Sequence, residues 1–155
     1  MLVCELSQSQ VKEILENYRV IAVVGLSDKQ EKPSHEVAAY MKRHGYRIIP
    51  VNPFVEEVLE EKSYKSLFDI PEEVQKTIDI VDIFRRSAEV QPIVEQVIKL
   101  KHENGKPFAV WMQVGVINPE AAEEARKAGL VVVMDRCMMV EHKKLGAEKL
   151  GEHIS

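Results

Sequence analysis

Val20-Ile21-Ala22-Val23-Val24 is an unbroken apolar run, mostly β-branched, that ends at Gly25. A strand with no polar face must be covered on both sides, as happens to a central strand of a parallel sheet packed between helices. This run constrains the fold more than any bulk property of the chain. Upstream, Ser7 and Gln10 have the spacing of a capping box, and Val11, Ile14, Leu15 and Tyr18 recur at helical intervals, predicting a short leading helix. Downstream, the polar loop Ser27 to Lys32 leads to Pro33-Ser34. These open a helix with Val37, Ala38 and Met41 on one face and Gly45 as its stop.

The alternation continues to the end of the chain. Tyr46 to Val51 predicts a second strand, broken by Asn52-Pro53. Phe54 to Lys65 reads as an acidic, irregular surface stretch, followed by a turn of helix at Ser66 to Asp69. Ile78 to Phe84 alternates as a third strand, and Ser87 is expected to cap a helix carrying Val90, Ile93, Val94, Val97, Ile98 and Leu100 up to Gly105. Pro107 to Trp111 is a fourth strand, Asn118-Pro119 caps a helix that ends at Gly129, and Leu130 to Met134 is a fifth strand. A last helix runs from about Met138 to Leu150. Parallel neighbours need right-handed helical crossovers. The fold class is therefore α/β: a Rossmann-like, doubly wound, three-layer α/β/α domain with about five mostly parallel strands.

The 155 residues suit one such domain, with its core at about 18–145 behind the leading helix. A composition of 45% hydrophobic and 30% charged residues supports an ordinary globular core. The net charge of −4 lacks the basic excess of a nucleic-acid binder, so any anion site must be a local cluster. No stretch approaches the roughly 18 apolar residues of a membrane span, and the start has no basic segment leading into an apolar run. The expectation is a cytoplasmic protein without a membrane or nucleic-acid partner. Cys4 and Cys137 are too far apart in the chain for a disulfide framework or a zinc pattern and are read as reduced thiols.

In open parallel sheets, ligands bind beyond the carboxyl ends of the strands, where strand order reverses. Those ends are Gly25-Leu26-Ser27, Pro50 to Pro53, Phe84-Arg85-Arg86, Trp111 to Gly115 and Asp135-Arg136-Cys137. The first loop is neither a Walker loop nor a G-x-G-x-x-G turn. Its physics still suits a phosphate: Gly25 permits close backbone approach, the helix opening near Ser34 attracts anions, and Lys29 and Lys32 add charge. The bland alternative makes Ser34 a helix cap and the lysines solvated. A nicotinamide-dinucleotide site usually has a carboxylate near the end of its second strand, to hold the ribose hydroxyls. Here Pro50-Val51-Asn52-Pro53 is neutral, so it can pack an adenine and admit a 3′-phosphate, although Asn52-Pro53 also reads simply as a turn.

Several segments together resemble the small stand-alone CoA-binding proteins. They are Val23-Val24-Gly25-Leu26-Ser27, Lys32-Pro33-Ser34-His35, Pro50-Val51-Asn52-Pro53, Tyr64-x-Ser66-Leu67-x-Asp69-Ile70-Pro71, Asp79-Ile80-Val81-Asp82-x-Phe84-Arg85 and Asp135-Arg136-Cys137-Met138-x-x-Glu141-His142. That family shares its fold with the nucleotide domain of the succinyl-CoA synthetase α subunit. The match runs from about Tyr18 to Leu145. The resemblance implies that Gly25, Leu26, Ser27, Lys32, Pro33 and Ser34 surround the phosphates of coenzyme A, with Pro50, Val51 and Asn52 near the adenosine. It implies that Phe84 and Arg85 form the next wall and that Trp111 and Gln113 line the same cleft. One departure is the glutamate-rich stretch with Glu56, Glu57, Glu60 and Glu61, where the family often has glycines.

The expected function is binding of CoA or an acyl-CoA, without ligase chemistry of its own. Succinyl-CoA synthetases pass a phosphoryl group through a histidine in a second domain, for which 155 residues leave no place. The other readings are a small NAD(P)-type oxidoreductase and a module that senses acyl-CoA supply. His142 is read as packed rather than catalytic, and His35 as close to a phosphate without acting as a base. Cys137 is read either as facing the cleft beside Arg136 or as a buried inert thiol. Asp79, Asp82 and Asp135 are too scattered for a metal site or an acid–base pair.

Overall fold

The computed structural model describes residues 6–154, with side chains through residue 147. The capping box forms: in α1 (Gln8–Asn17) the Ser7 hydroxyl accepts from the Gln10 N–H, and the Gln10 side chain accepts from the Ser7 N–H. Next come β1 (Val20–Val24), α2 (Pro33–Arg43), β2 (Arg47–Val51), β3 (Glu57–Val58), β4 (Glu61–Lys62) and α3 (Glu72–Gln75). The second half comprises β5 (Ile80–Ile83), α4 (Val90–Asn104), β6 (Ala109–Met112), α5 (Pro119–Lys127), β7 (Val131–Val133) and α6 (Met138–Ile154).

The main sheet has five strands in the order β2-β1-β5-β6-β7, every pair parallel. Successive side chains of a strand point to opposite faces, so β1 feeds two cores. Ala22 and Val24 face the core built with α4 and α5, where Val94, Val97, Leu100, Ala121 and Ala125 are buried. Ile21 and Val23 face the core under α1, α2 and α6, with Val11, Leu15, Val37, Met41 and Met138. Each fully buried Val or Leu contributes about 1.5–3 kcal/mol. The three-layer α/β/α expectation is met.

Two stretches differ from the sequence reading. Residues Phe54 to Lys65 are not irregular throughout: β3 and β4 pair as a hairpin, with Glu57 opposite Lys62 and Val58 opposite Glu61. The turn residues Leu59 and Glu60 have φ of 54° and 66°, the geometry of a primed turn that usually uses Asn or Gly. The Lys42 ammonium donates to the Leu59 carbonyl and Val58 is buried, so tertiary contacts hold a turn that local propensity does not ask for. Second, Ser87 does not cap α4. Its hydroxyl accepts from the Ile117 N–H at 2.9 Å and donates to the Gly115 carbonyl at 3.3 Å, tying the β6–α5 loop to the β5–α4 connection. Asn118 does cap α5, accepting from the Ala121 N–H at 3.0 Å.

Candidate functional site

Strand order reverses between β1 and β5: the chain leaves β1 toward β2 on one side and later returns to β5 on the other. The crossovers on opposite faces leave a crevice at the carboxyl ends of these strands. A cleft of about 610 Å³ opens there, between the Gly25–Ser27 turn, the start of α2, Phe84 to Arg86, and Gln113 to Val116, with Cys137 at the far side.

Gly25 is held where no side chain fits. Its φ is +89°, its N–H donates to the Val51 carbonyl at 2.8 Å, and a Cβ on it would lie 2.2 Å from the Phe84 carbonyl oxygen. The loop after it is ordered by its own serines. The Ser27 N–H donates to the Ser34 hydroxyl at 3.0 Å, and the Ser27 hydroxyl accepts from the Lys29 N–H at 3.1 Å. Ser34 is therefore not the helix cap: Lys32 occupies the N-cap position of α2, and its side chain makes no capping bond. The first turn of α2 thus keeps its positive end turned to the cleft.

Lys32, Arg85 and Arg86 put three cationic side chains on this cleft against one carboxylate, Glu89. Arg86 and Glu89 pair at 3.6 Å, whereas Lys32 and Arg85 enter no ion pair among the described residues. The Arg85 Nε would lie 3.4 Å from a Cβ on Gly25, so this guanidinium sits over the glycine turn. Val37, Phe84 and Val116 supply apolar wall between the charges.

Beneath the cleft lies a buried polar pair. Asp82 is 1% exposed and accepts from Gln113 Nε2 at 2.7 Å. Burial pushes the Asp82 carboxyl up to about 7, against the hydrogen bonds from Gln113 and the Ile83 backbone that favour its ionised form. The opposite wall is strapped by Asp135, in the left-handed region at φ 61°, whose carboxylate accepts from the Gly115 N–H at 2.8 Å.

Of the residues expected at the site, Gly25, Ser27, Lys32, Pro33, Ser34, Phe84, Arg85 and Gln113 meet at this cleft. Trp111 does not line it. The indole is fully buried among the α1, α2 and α6 contacts, with its N–H donating to the Arg136 carbonyl at 2.8 Å. Leu26 is likewise fully buried, and Pro50 and Val51 are enclosed in β2. Asn52 is bound at both ends of its amide, donating to the Leu26 carbonyl and accepting from the Phe54 N–H, each at 2.9 Å. It clamps the second strand end to the first. Arg86, Glu89 and Cys137 join the cleft, and the first and last were visible as strand-end residues. His35 is outside the lining set, and His142 packs with Tyr40, its Nδ1 2.8 Å from the Tyr40 hydroxyl. Arg136 turns from Cys137, pairing with Glu141 at 3.8 Å and donating to the Leu6 carbonyl at 3.2 Å. Cys4 lies outside the described residues. Asp79 sits at the opposite end of the sheet, accepting from the Arg19 and Val20 N–H groups and pairing with Lys106 at 2.9 Å.

The family model described as a CoA binding domain matches residues 19–143, which takes in all five strands of the sheet and the whole cleft. The chain belongs to the CoA-binding domain family. It is 40% identical over 136 residues to the uncharacterized protein YneT of Bacillus subtilis, covering 88% of this chain and 94% of that protein. A hypothetical protein from Pyrococcus horikoshii OT3 superposes with a TM-score of 0.82 at 39% identity, covering 94% of this chain and 98% of the other. The chain is also similar to part of a longer protein. The chain is 31% identical over 143 residues to the α subunit of an ADP-forming acetate–CoA ligase II of Pyrococcus furiosus, covering 84% of this chain but 30% of that subunit. Among the described residues, no helix is long and apolar enough to cross a membrane.

Proposed function

We propose that this chain binds coenzyme A or an acyl-CoA in the cleft at the β1–β5 switch point, and that it performs no ligase reaction by itself. The observation that carries the reading is the Gly25–Ser27 turn facing the uncapped start of α2, with Lys32 and Arg85 beside it. A backbone able to approach closely, a helix dipole and two cations without acidic partners suit a diphosphate. The apolar wall of Phe84, Val37 and Val116 suits the pantetheine arm, which this reading runs past Gln113 toward Cys137. The adenosine end lies toward β2, where Asn52 is neutral and fully engaged with the protein.

CoA is expected to bind at least tenfold more tightly than NAD, a preference of about 1.4 kcal/mol or more. Calorimetry with both ligands checks it, and equal or reversed affinities would remove CoA as the ligand. In the same measurements, Lys32→Ala is expected to weaken CoA binding several-fold at low ionic strength and to flatten its dependence on salt, because an exposed lysine–phosphate contact is screened by added ions. Wild-type affinity and salt slope in this variant would move the phosphates away from the start of α2. The related ligase subunit is named for acetate–CoA ligation. The reading expects no ADP-dependent release of acetate from acetyl-CoA by this chain, which a nucleotide-coupled assay tests directly.

A further inference from the structure

Asp82 is a buried ionisable group beneath the cleft to which phosphate binding gives no role. It lies on β5 with Val23 and Trp111 as its register partners on either side, and its contact with the cleft runs through Gln113. Gln113 is 3% exposed and contributes to the cleft wall. A carboxylate can only accept hydrogen bonds, while an amide has one donating and one accepting end. With Nε2 committed to Asp82, the amide leaves Oε1 over. No donor among the described residues takes that oxygen, and Asn104 Nδ2 is the one enclosed side-chain atom among them without a partner. Oε1 is therefore reachable from the cleft.

We propose that Asp82 is a positioning residue that sets, through Gln113, whether the cleft floor offers a hydrogen-bond acceptor or a donor, and so selects between free CoA and an acyl-CoA. As a carboxylate, Asp82 holds the amide with its carbonyl oxygen toward the ligand, where a thiol S–H or amide N–H can donate to it. As the neutral acid it donates to Oε1 instead, the amide turns over, and Nε2 faces an acceptor such as a thioester carbonyl. This rests on the CoA reading above. The placement agrees with it: Gln113 follows β6, two strands beyond the phosphate turn after β1, or about 10 Å across the sheet toward Cys137. That is the direction of the thiol end.

The charge state can change near neutrality, since burial raises the Asp82 carboxyl to about 7. Charged and titratable groups on the cleft side are Lys32, Arg85, Arg86, Glu89 and Cys137. On the helix side they are His35 and Glu36 of α2 and Arg136 and Glu141 around the start of α6. Burial and the two hydrogen bonds, rather than these charges, set the proton affinity of Asp82.

The test is the ratio of acetyl-CoA to CoA dissociation constants at pH 6 and pH 8, by calorimetry. Titration of the ligand phosphates is common to both ligands and cancels in the ratio. The expected ratio rises about five- to tenfold from pH 6 to pH 8, the factor for one hydrogen bond made or left unmade. It is expected to become independent of pH in Asp82→Asn. A pH-independent ratio in the wild type, or the same pH dependence in the variant, overturns the proposal. Binding of neither ligand would instead remove the CoA reading. The Gln113 side-chain amide resonances of the ligand-free protein then decide the pair: a titration near pH 7 that Asp82→Asn abolishes supports the switch, and a flat response overturns it.

Discussion

Gly25→Ala is expected to destabilise the protein by about 4 kcal/mol or more, a large share of the roughly 5–15 kcal/mol that holds a typical domain together. The left-handed backbone at φ +89° accounts for only part of this, roughly 1–2 kcal/mol for any L-residue. The larger share is steric. The added Cβ would lie 2.2 Å from the Phe84 carbonyl oxygen, and that carbonyl cannot step aside cheaply. The Phe84 N–H is bonded to the Val24 carbonyl at 2.8 Å, and the Gly25 N–H to the Val51 carbonyl at 2.8 Å, so both sides of the contact are fixed by the sheet. Gly45 is the internal control. Its φ is +93°, but nothing lies within 4 Å of a Cβ built on it, so Gly45→Ala is expected to cost only the backbone strain. Urea unfolding of both variants checks the pair of values. Equal losses at the two glycines would mean that the close approach of β1 to the Phe84 carbonyl does not constrain the fold.

That contact also explains which parts of the fold were legible. The parallel strands announce themselves because each is buried on both faces and must be apolar throughout, as β1 is. The hairpin of β3 and β4 was hidden because strands of two residues leave no periodicity, and its turn uses Leu59 and Glu60 rather than Asn-Gly. Ser87 was misread as a cap for a related reason. A serine before a helical run has the local signature of an N-cap, yet its hydroxyl serves a loop that is distant in sequence.

The cleft was legible to the extent that its residues follow strands. Strand ends in an open parallel sheet gather at one edge, so Gly25, Ser27, Arg85 and Gln113 could be placed together from chain order alone. Which side chains turn inward was not legible. Trp111 lies within β6 and is buried under the helices, whereas Gln113, two residues on and just past the end of the strand, reaches the cleft. Asn52 likewise looked like a ligand contact or a turn, and its amide does the turn while tethering the Leu26 carbonyl. Asp82 carried a signal that composition could not weigh: a carboxylate inside a strand otherwise made of Ile and Val must be buried, and therefore needs a partner from the neighbouring strand.

Asp82→Asn is expected to change how stability depends on pH in a defined window. The unfolded chain holds this carboxyl near its ordinary 3.8, whereas burial in the folded state raises it to about 7. Below about pH 4 the group is protonated in both states and takes nothing from stability. Between about pH 4 and pH 7 the unfolded chain is ionised while the folded chain retains the proton, so folding takes up a proton and stability falls as pH rises. Above about pH 7 both states are ionised and the loss is complete, on the order of 4 kcal/mol at about 1.4 kcal/mol for each unit between the two values. Asparagine has nearly the same shape, can still accept from Gln113 Nε2, and has no proton to exchange. The stability of Asp82→Asn relative to wild type is therefore expected to rise by about 3 kcal/mol from pH 5 to pH 8, with every other titrating group common to both proteins. Denaturant unfolding of the two ligand-free proteins at matched pH values measures it, and parallel stability curves would mean that Asp82 is ionised in the folded state at little cost. A rising difference would mean that, above neutral pH, the fold carries a charged group beneath its cleft against its own stability, which an asparagine at the same place would relieve.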